Sequence, residues 1–252
     1  MSNFPTAPAI APYWPDAFDL KNHLEGFLKV DRATLEAKLA QGTAELATLG
    51  RRDFDWAKAE AFYQDQVGQA YLFDLGAWHL SSQDYIGDTL RLVSDRAQGH
   101  VLDFGGGIGT HTIALARCPQ VLQVTYCDAN PVNLEFVRYR VAQLGLGDKV
   151  RCCGAGEGQE QPFDTIVCLD VLEHLADPVE QLRQFHRQLN PQGYLITNWY
   201  FSKGTQGEFP FHHDDPALVQ AFFQVLQTHF LEVFHPYFIT TRCYQPLDRQ
   251  LS

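Results

Sequence analysis

"VLDFGGGIGTH", residues 101–111, places four glycines within five positions directly behind an apolar run. Glycine lets the backbone take positive φ and approach another group closely. A phosphate site, a nucleotide site without phosphate contacts and a bare strand-to-helix turn all use such a loop, so its neighbours must decide. The dinucleotide fingerprint G-x-G-x-x-G needs a third glycine for close helix–strand packing. Counted from Gly105 that position is Thr110, and from Gly107 it is Thr112. The phosphate P-loop needs a Lys-Ser or Lys-Thr that does not follow here. What stands is D-x-G-x-G-x-G, headed by Asp103.

A carboxylate at the head of the loop repels a pyrophosphate and suits an ammonium group, directly or through water. A second apolar run, "VLQVTYCD", ends in Asp128, 19 residues beyond Gly109. An acid in that place accepts hydrogen bonds from both hydroxyls of a ribose. Together the two acids ask for a nucleoside that carries a positive group and no phosphate, which is the chemistry of S-adenosylmethionine.

Outward from the loop, strand-like and helix-like segments alternate from about residue 96, the sign of a parallel α/β sheet. "HVLDF", "VLQVTYCD", "KVRCC", "FDTIVCLD" and "GYLITNWY" predict five buried strands. Leu134, Val137, Val141 and Leu144 make one helical stripe, and Val179, Leu182, Phe185 and Leu189 another. Asn130-Pro131, Asp177-Pro178 and Asp215-Pro216 each set a capping side chain before a proline at the first helical position. The third of these predicts a helix from Pro216 to about His229, and the pieces around His235-Pro236 predict a closing hairpin. Residues 1–95 carry helix-like segments such as "DRATLEAKLAQGTAELATL" and no comparable strand pattern. The expected division is an N-terminal arm and helical cap at 1–95 and an α/β domain at 96–252.

Four stretches, in order, resemble the class I S-adenosylmethionine-dependent methyltransferases: "VLDFGGGIG", "YCDANP", "FDTIVCLDVLEHLADP" and "LNPQGYLITNW". The resemblance covers roughly residues 96–252. It implies a doubly wound, mostly parallel seven-stranded sheet of order 3-2-1-4-5-7-6 whose last strand is antiparallel. It also implies that the methyl donor is held by Asp103, Gly105, Gly107, Gly109, Asp128, Ala129 and Asp170, with S-adenosylhomocysteine as product. One stretch departs from the family. Where many members place an acid for the adenine amino group, this chain has "CCGAGEGQE", which leaves backbone groups or Glu157 for that contact.

For catalysis the candidates are His174, His212 and His213, since an imidazole suits removal of an O–H or N–H proton. "DVLEH" also lines up Asp170, Glu173 and His174 in a D-x-x-E-H pattern. It differs by one methylene from the E-x-x-E-H divalent-metal site of some quinone and small-RNA O-methyltransferases, with a fourth ligand available from His212, His213, Asp214 or Asp215. The favoured reading is no metal, with Asp170 ending a strand near the methionine moiety. Tyr71, Trp78, His79 and Tyr85 from the cap, and Trp199 and Tyr200 behind the fifth strand, are candidates to line the acceptor pocket.

The formal net charge of −11 weighs against a general nucleic-acid binder, whose affinity rests on Lys and Arg. No apolar run reaches the roughly 18 residues of a membrane span, and no signal peptide opens the chain. Six cysteines without a C-x-x-C pair read as buried thiols of a reducing cytoplasm. The expectation is a cytoplasmic enzyme, monomeric or homodimeric, that methylates a small aromatic or apolar acceptor. The rivals are a protein side-chain methyltransferase and a catalytically silent domain that binds a partner through its cap. A nicotinamide-dependent reductase is disfavoured by the missing third glycine.

Overall fold

The computed structural model describes residues 14–49, 59–154, 156–158, 162–205 and 209–247. Six helices come first: α1 (Trp14–Phe18), α2 (Leu20–Leu28), α3 (Arg32–Leu49), α4 (Ala59–Asp65), α5 (Ala70–Ser81) and α6 (Gln83–Arg96). Alternation then begins with β1 (Gly99–Phe104), α7 (Thr110–Arg117), β2 (Val121–Asp128), α8 (Pro131–Gln143) and β3 (Val150–Gly154). It continues through β4 (Phe163–Cys168), a 3-10 turn at Leu172–His174, α9 (Pro178–Gln188) and β5 (Leu189–Thr197). The chain closes with α10 (Pro216–His229), β6 (Phe230–Glu232) and β7 (Arg242–Pro246).

The seven strands lie in the order β3-β2-β1-β4-β5-β7-β6. β1 pairs in parallel with both β2 and β4, and β7 runs antiparallel to β5 and β6. The order reverses between β1 and β4, so a crevice opens beyond the carboxyl ends of these strands, where doubly wound sheets bind ligands.

The caps act as their sequences indicate. Asn130 accepts from the backbone N–H of Val132 and Asn133, Asp177 from Glu180, and Asp215 from Ala217 and Leu218, each ahead of a proline in the first turn. One boundary differs. Leu189 and the "NPQG" that follows it belong to β5, with Leu189 paired to Phe163, so the stripe on α9 stops at Phe185. β4 also ends at Cys168, two residues short of Asp170. All six cysteines are free thiols. Among the described residues no helix is long and apolar enough to cross a membrane.

Arg140 on α8 joins the helices before β1 to the sheet. It is fully buried and has backbone carbonyls and a histidine as partners. Its guanidinium donates to Ile108 O in the glycine loop at 2.6 Å and to Ala17 O and Asp16 O at the end of α1 at 2.7 and 3.2 Å. A cation suits the carbonyl end of a helix, and burial here lowers the Arg140 pKa to about 9. Replacing it by Met keeps much of the volume and strands those carbonyls. Arg140→Met should lower stability by about 2 kcal/mol or more, read as a reduced urea midpoint, whereas an unchanged midpoint would show that water satisfies the carbonyls.

Candidate functional site

The glycine loop is fixed from several sides. Gly105 and Gly106 donate their N–H groups to Cys127 O at 2.9 and 3.2 Å, and Tyr126 OH donates to Gly107 O at 2.8 Å. Gly105 has φ of 68°, and a Cβ there would stand 2.5 Å from the Val171 side chain, so both conformation and space require glycine.

Asp128 closes the loop onto the second strand. Its Oδ2 accepts from Gly107 N–H at 2.9 Å, and its Oδ1 accepts from Asn130 N–H at 2.8 Å and Asn133 Nδ2 at 3.3 Å. A carboxylate offers about four acceptor positions, so one on Oδ2 is left. That is room for one ribose hydroxyl, rather than the two that spacing alone suggests. Burial pushes the carboxyl up to about 6, against the pull of those hydrogen bonds.

At the carboxyl ends of β1, β2 and β4 lies a cavity of about 370 Å³. Gly105, Asp128, Ala129 and Asp170 line it, as does Tyr71 from the helical segment. Among the described residues, three carboxyls, Asp128, Asp170 and Asp177, are in its wall, and no lysine or arginine is. Such a wall repels phosphate and attracts a cation. The volume suits one nucleoside-sized ligand. The glycines, the ribose-directed acid and the carboxyl lining therefore fit S-adenosylmethionine.

Several expected residues take other places. Asp103 is buried beneath the loop, where Thr112 Oγ1 donates to it, and burial pushes it up to about 7. It shapes the loop from behind and is not in the cavity wall; nor are Gly107, which bonds Asp128, and Gly109, which packs on Val137. His79 is buried against Thr110 at 2.9 Å, and Trp78 lies beside His79 and Tyr85. Tyr85 bonds Asn198, so Trp78, His79 and Tyr85 stand behind the wall of this cavity. Trp199 packs into the core against Phe222, Phe223 and Tyr244. Glu157 turns back to accept from Gly154 N–H at 3.1 Å, while Gly156 lines the cavity; Ala155 lies outside the described residues. Tyr63 and Val171 line the cavity as well; no motif marked Tyr63, and Val171 stands in "DVLEH" without a role of its own.

The histidines separate. Glu173, His174 and His212 bring one ligand atom each to within 4.8 Å of one another, and Asp170 is not in that group. His213 points elsewhere, with Nε2 bonded to Leu175 O at 2.7 Å. His174 Nδ1 meets Phe211 O at 3.2 Å, and His212 Nδ1 meets Tyr200 O at 2.8 Å. A carbonyl only accepts, so His212 Nδ1 carries its proton towards Tyr200 O, while His174 Nδ1 also lies 3.1 Å from Tyr63 OH, a hydroxyl that can donate to it or accept from it. Glu173 Oε2 is buried with no hydrogen-bond partner. Burial pushes Glu173 up to about 8 and His174 down to about 3. An orphaned carboxylate oxygen beside two imidazoles fits a divalent cation. A proton finds a poor base in an imidazole so depressed.

Comparison with known proteins agrees with the geometry. Residues 102–195 match a protein-family model described as a methyltransferase domain. The ubiquinone biosynthesis O-methyltransferase of Pseudomonas aeruginosa is 33% identical over 99 residues, 38% of this chain and 42% of that protein. That of Ruegeria pomeroyi is 36% identical over 99 residues, 38% of this chain and 39% of that protein. The match thus spans less than half the length of these curated relatives. An O-methyltransferase family protein from Burkholderia thailandensis shares the fold at a TM-score of 0.53 and 18% identity, over 75% of this chain and 62% of that one. The S-adenosylmethionine-dependent methyltransferase SibL does so at 0.52 and 18%, over 93% of this chain and 73% of that one. Its strand order and its glycine loop resemble those of the class I S-adenosylmethionine-dependent methyltransferases, and the segment 102–195 is similar to a methyltransferase domain.

Proposed function

We propose that this protein transfers the methyl group of S-adenosylmethionine to a hydroxyl of a small aromatic acceptor. The observation that carries the reading is the cavity at the strand-order reversal, with three aspartates and, among the described residues, no lysine or arginine in its wall. Bound there, the donor supplies a methyl on a positively charged sulfur, which needs no further activation. The protein then has to align the acceptor and keep water out. Asp128 receives a ribose hydroxyl, Asp170 offers a carboxylate to the positive charge, and Tyr63 and Tyr71 close the wall from the helical segment at residues 59–81, part of the cap at 1–95.

The acceptor side is read from the neighbouring cluster. Glu173, His174 and His212 would hold a divalent ion, which makes a nearby hydroxyl easier to deprotonate. His174 belongs to both the cluster and the cavity wall, so the two sites adjoin. Beside His212, the exposed rings of Tyr200 and Phe209 offer a surface on which an aromatic acceptor can lie, with ring centroids 5.7 and 5.0 Å from the imidazole. The names of the curated relatives also favour an oxygen acceptor on a small molecule.

Two measurements test this. Incubated with S-adenosylmethionine and a panel of simple phenols and catechols, the protein should release S-adenosylhomocysteine. Chelation or His212→Ala should cut that release at least about tenfold, and added Mg²⁺ or Mn²⁺ should restore the chelated wild type. Methylation of amines or thiols alone, or a rate indifferent to chelation, would contradict the acceptor reading.

The second is pH dependence of binding. Asp128 and Asp170 both sit at about 6 in the empty protein because burial disfavours their charge. Both lie above the unfolded value, so the stability they contribute is full at low pH and is lost as pH rises through 6. A bound cation favours the carboxylates and offsets that loss, hence its binding releases protons below about pH 6. The affinity for S-adenosylmethionine should fall as pH drops from 7 to 5. S-Adenosylhomocysteine, with a neutral sulfur, should lose less. Parallel pH profiles for the two ligands, measured by titration calorimetry, would contradict a carboxylate-lined donor site.

A further inference from the structure

Asp170 is one of two described non-glycine residues with positive φ, at 55°. L residues take this conformation rarely, and aspartate only with local support. The support comes from Asn198, the first residue after β5. Its Oδ1 accepts from Asp170 N–H at 2.6 Å, and its Nδ2 donates to Asp170 Oδ1 at 2.9 Å. One side chain thus grips both the backbone and the carboxylate of the same residue. The second hydrogen of Nδ2 goes to Tyr85 OH at 2.8 Å, and Tyr85 OH lies 3.4 Å from Thr240 Oγ1. Asn198 is buried, and its Oδ1 and both hydrogens of its Nδ2 have partners. The amide has one workable orientation, since flipping it would set oxygen against Asp170 Oδ1 and N–H against N–H.

We infer that Asn198 is a positioning residue for the methyl donor: its two-point grip on Asp170 fixes the turn after β4 and aims the Asp170 carboxylate at the positive end of the ligand. Asp170 lines the cavity and Asn198 does not, so Asn198 acts through Asp170. With Asp170 Oδ1 held by the amide, Oδ2 is the oxygen left to face a cation. The contact to Tyr85 on α6 anchors the far side of the amide, so the helical segment, β5 and the turn after β4 meet at one side chain. The methyltransferase-domain match ends at residue 195, short of Asn198, and the stretch "LNPQGYLITNW" that contains it assigns it no role.

The inference rests on the donor reading, and the test separates the two. Kd values for S-adenosylmethionine and S-adenosylhomocysteine are measured by calorimetry for wild type, Asn198→Ala, Asp170→Asn and the double variant. Heat unfolding verifies that each is folded, and Asn198→Ser, which keeps a hydroxyl for Asp170 N–H, stands in if the alanine variant is not. Asn198→Ala should shrink the preference for the charged ligand by about tenfold, Asp170→Asn should do likewise, and the double variant should be no worse than Asp170→Asn. Equal weakening of both ligands by Asn198→Ala, or additive losses in the double variant, would overturn the positioning role while leaving the donor reading intact. A wild type that binds neither ligand would overturn both.

Discussion

The site depends on one carboxylate and the three N–H donors it gathers. Asp128 takes Gly107 from the loop, and Asn130 and Asn133 from the start of α8, so the ends of two strands and the turns behind them share one acceptor. Without those donors a buried carboxylate would be costly; with them it sits in the cavity wall with one acceptor position facing a ligand. Asn130 then serves twice, since its backbone bonds Asp128 while its side chain caps α8. The loop carbonyls of Gly107 and Ile108 are taken by Tyr126 and Arg140, which ties the loop to β2 and α8. Preorganisation of this kind lowers the ordering cost of binding.

The electrostatics follow from the same burial. Asp103, Asp128, Asp170 and Glu173 all lie in low-dielectric surroundings at the carboxyl ends of β1, β2 and β4 or just beyond them, and each is pushed up to between about 6 and about 8. Such a group of acids is poised for positive charge. Under the proposed function a ribose would meet Asp128 and a sulfonium Asp170 in the cavity, and a divalent ion would meet Glu173 with its two histidines. Arg140, by contrast, is turned away into the core, where carbonyls at the end of α1 and in the loop hold it. The one deeply buried cation described here therefore builds the scaffold and leaves the cavity acidic.

Much of this was legible in the sequence because it is local. The glycine pattern, the acid at the end of the second apolar run and the three proline-marked caps can be read within a few residues, the alternation gives a parallel sheet, and the resemblance implies its strand order. Residues that depend on distant partners were harder to place. Trp199 is beside the site in sequence, but side chains alternate as β5 ends, so Asn198 turns to Asp170 while Trp199 turns to α10. His212 and His213 are adjacent and equivalent by composition; only the return of their loop over the 3-10 turn brings His212 to Glu173 and His174. Asp170 leaves that cluster because its positive φ and the Asn198 grip direct it to the cavity. Tyr63 carried no signal, since an aromatic in a helical stretch reads as core.

The central claim is that the cavity at the strand-order reversal receives an adenosyl group with its ribose on Asp128 and its sulfur beside Asp170. A crystal structure of the full chain with S-adenosylhomocysteine tests it most directly. The account predicts a ribose hydroxyl within hydrogen-bond distance of Asp128 Oδ2, with Gly107 N–H still bonded to the same carboxylate, and the thioether sulfur nearer Asp170 than Asp128. A ligand seated elsewhere, or one whose ribose leaves Asp128 untouched, would contradict it.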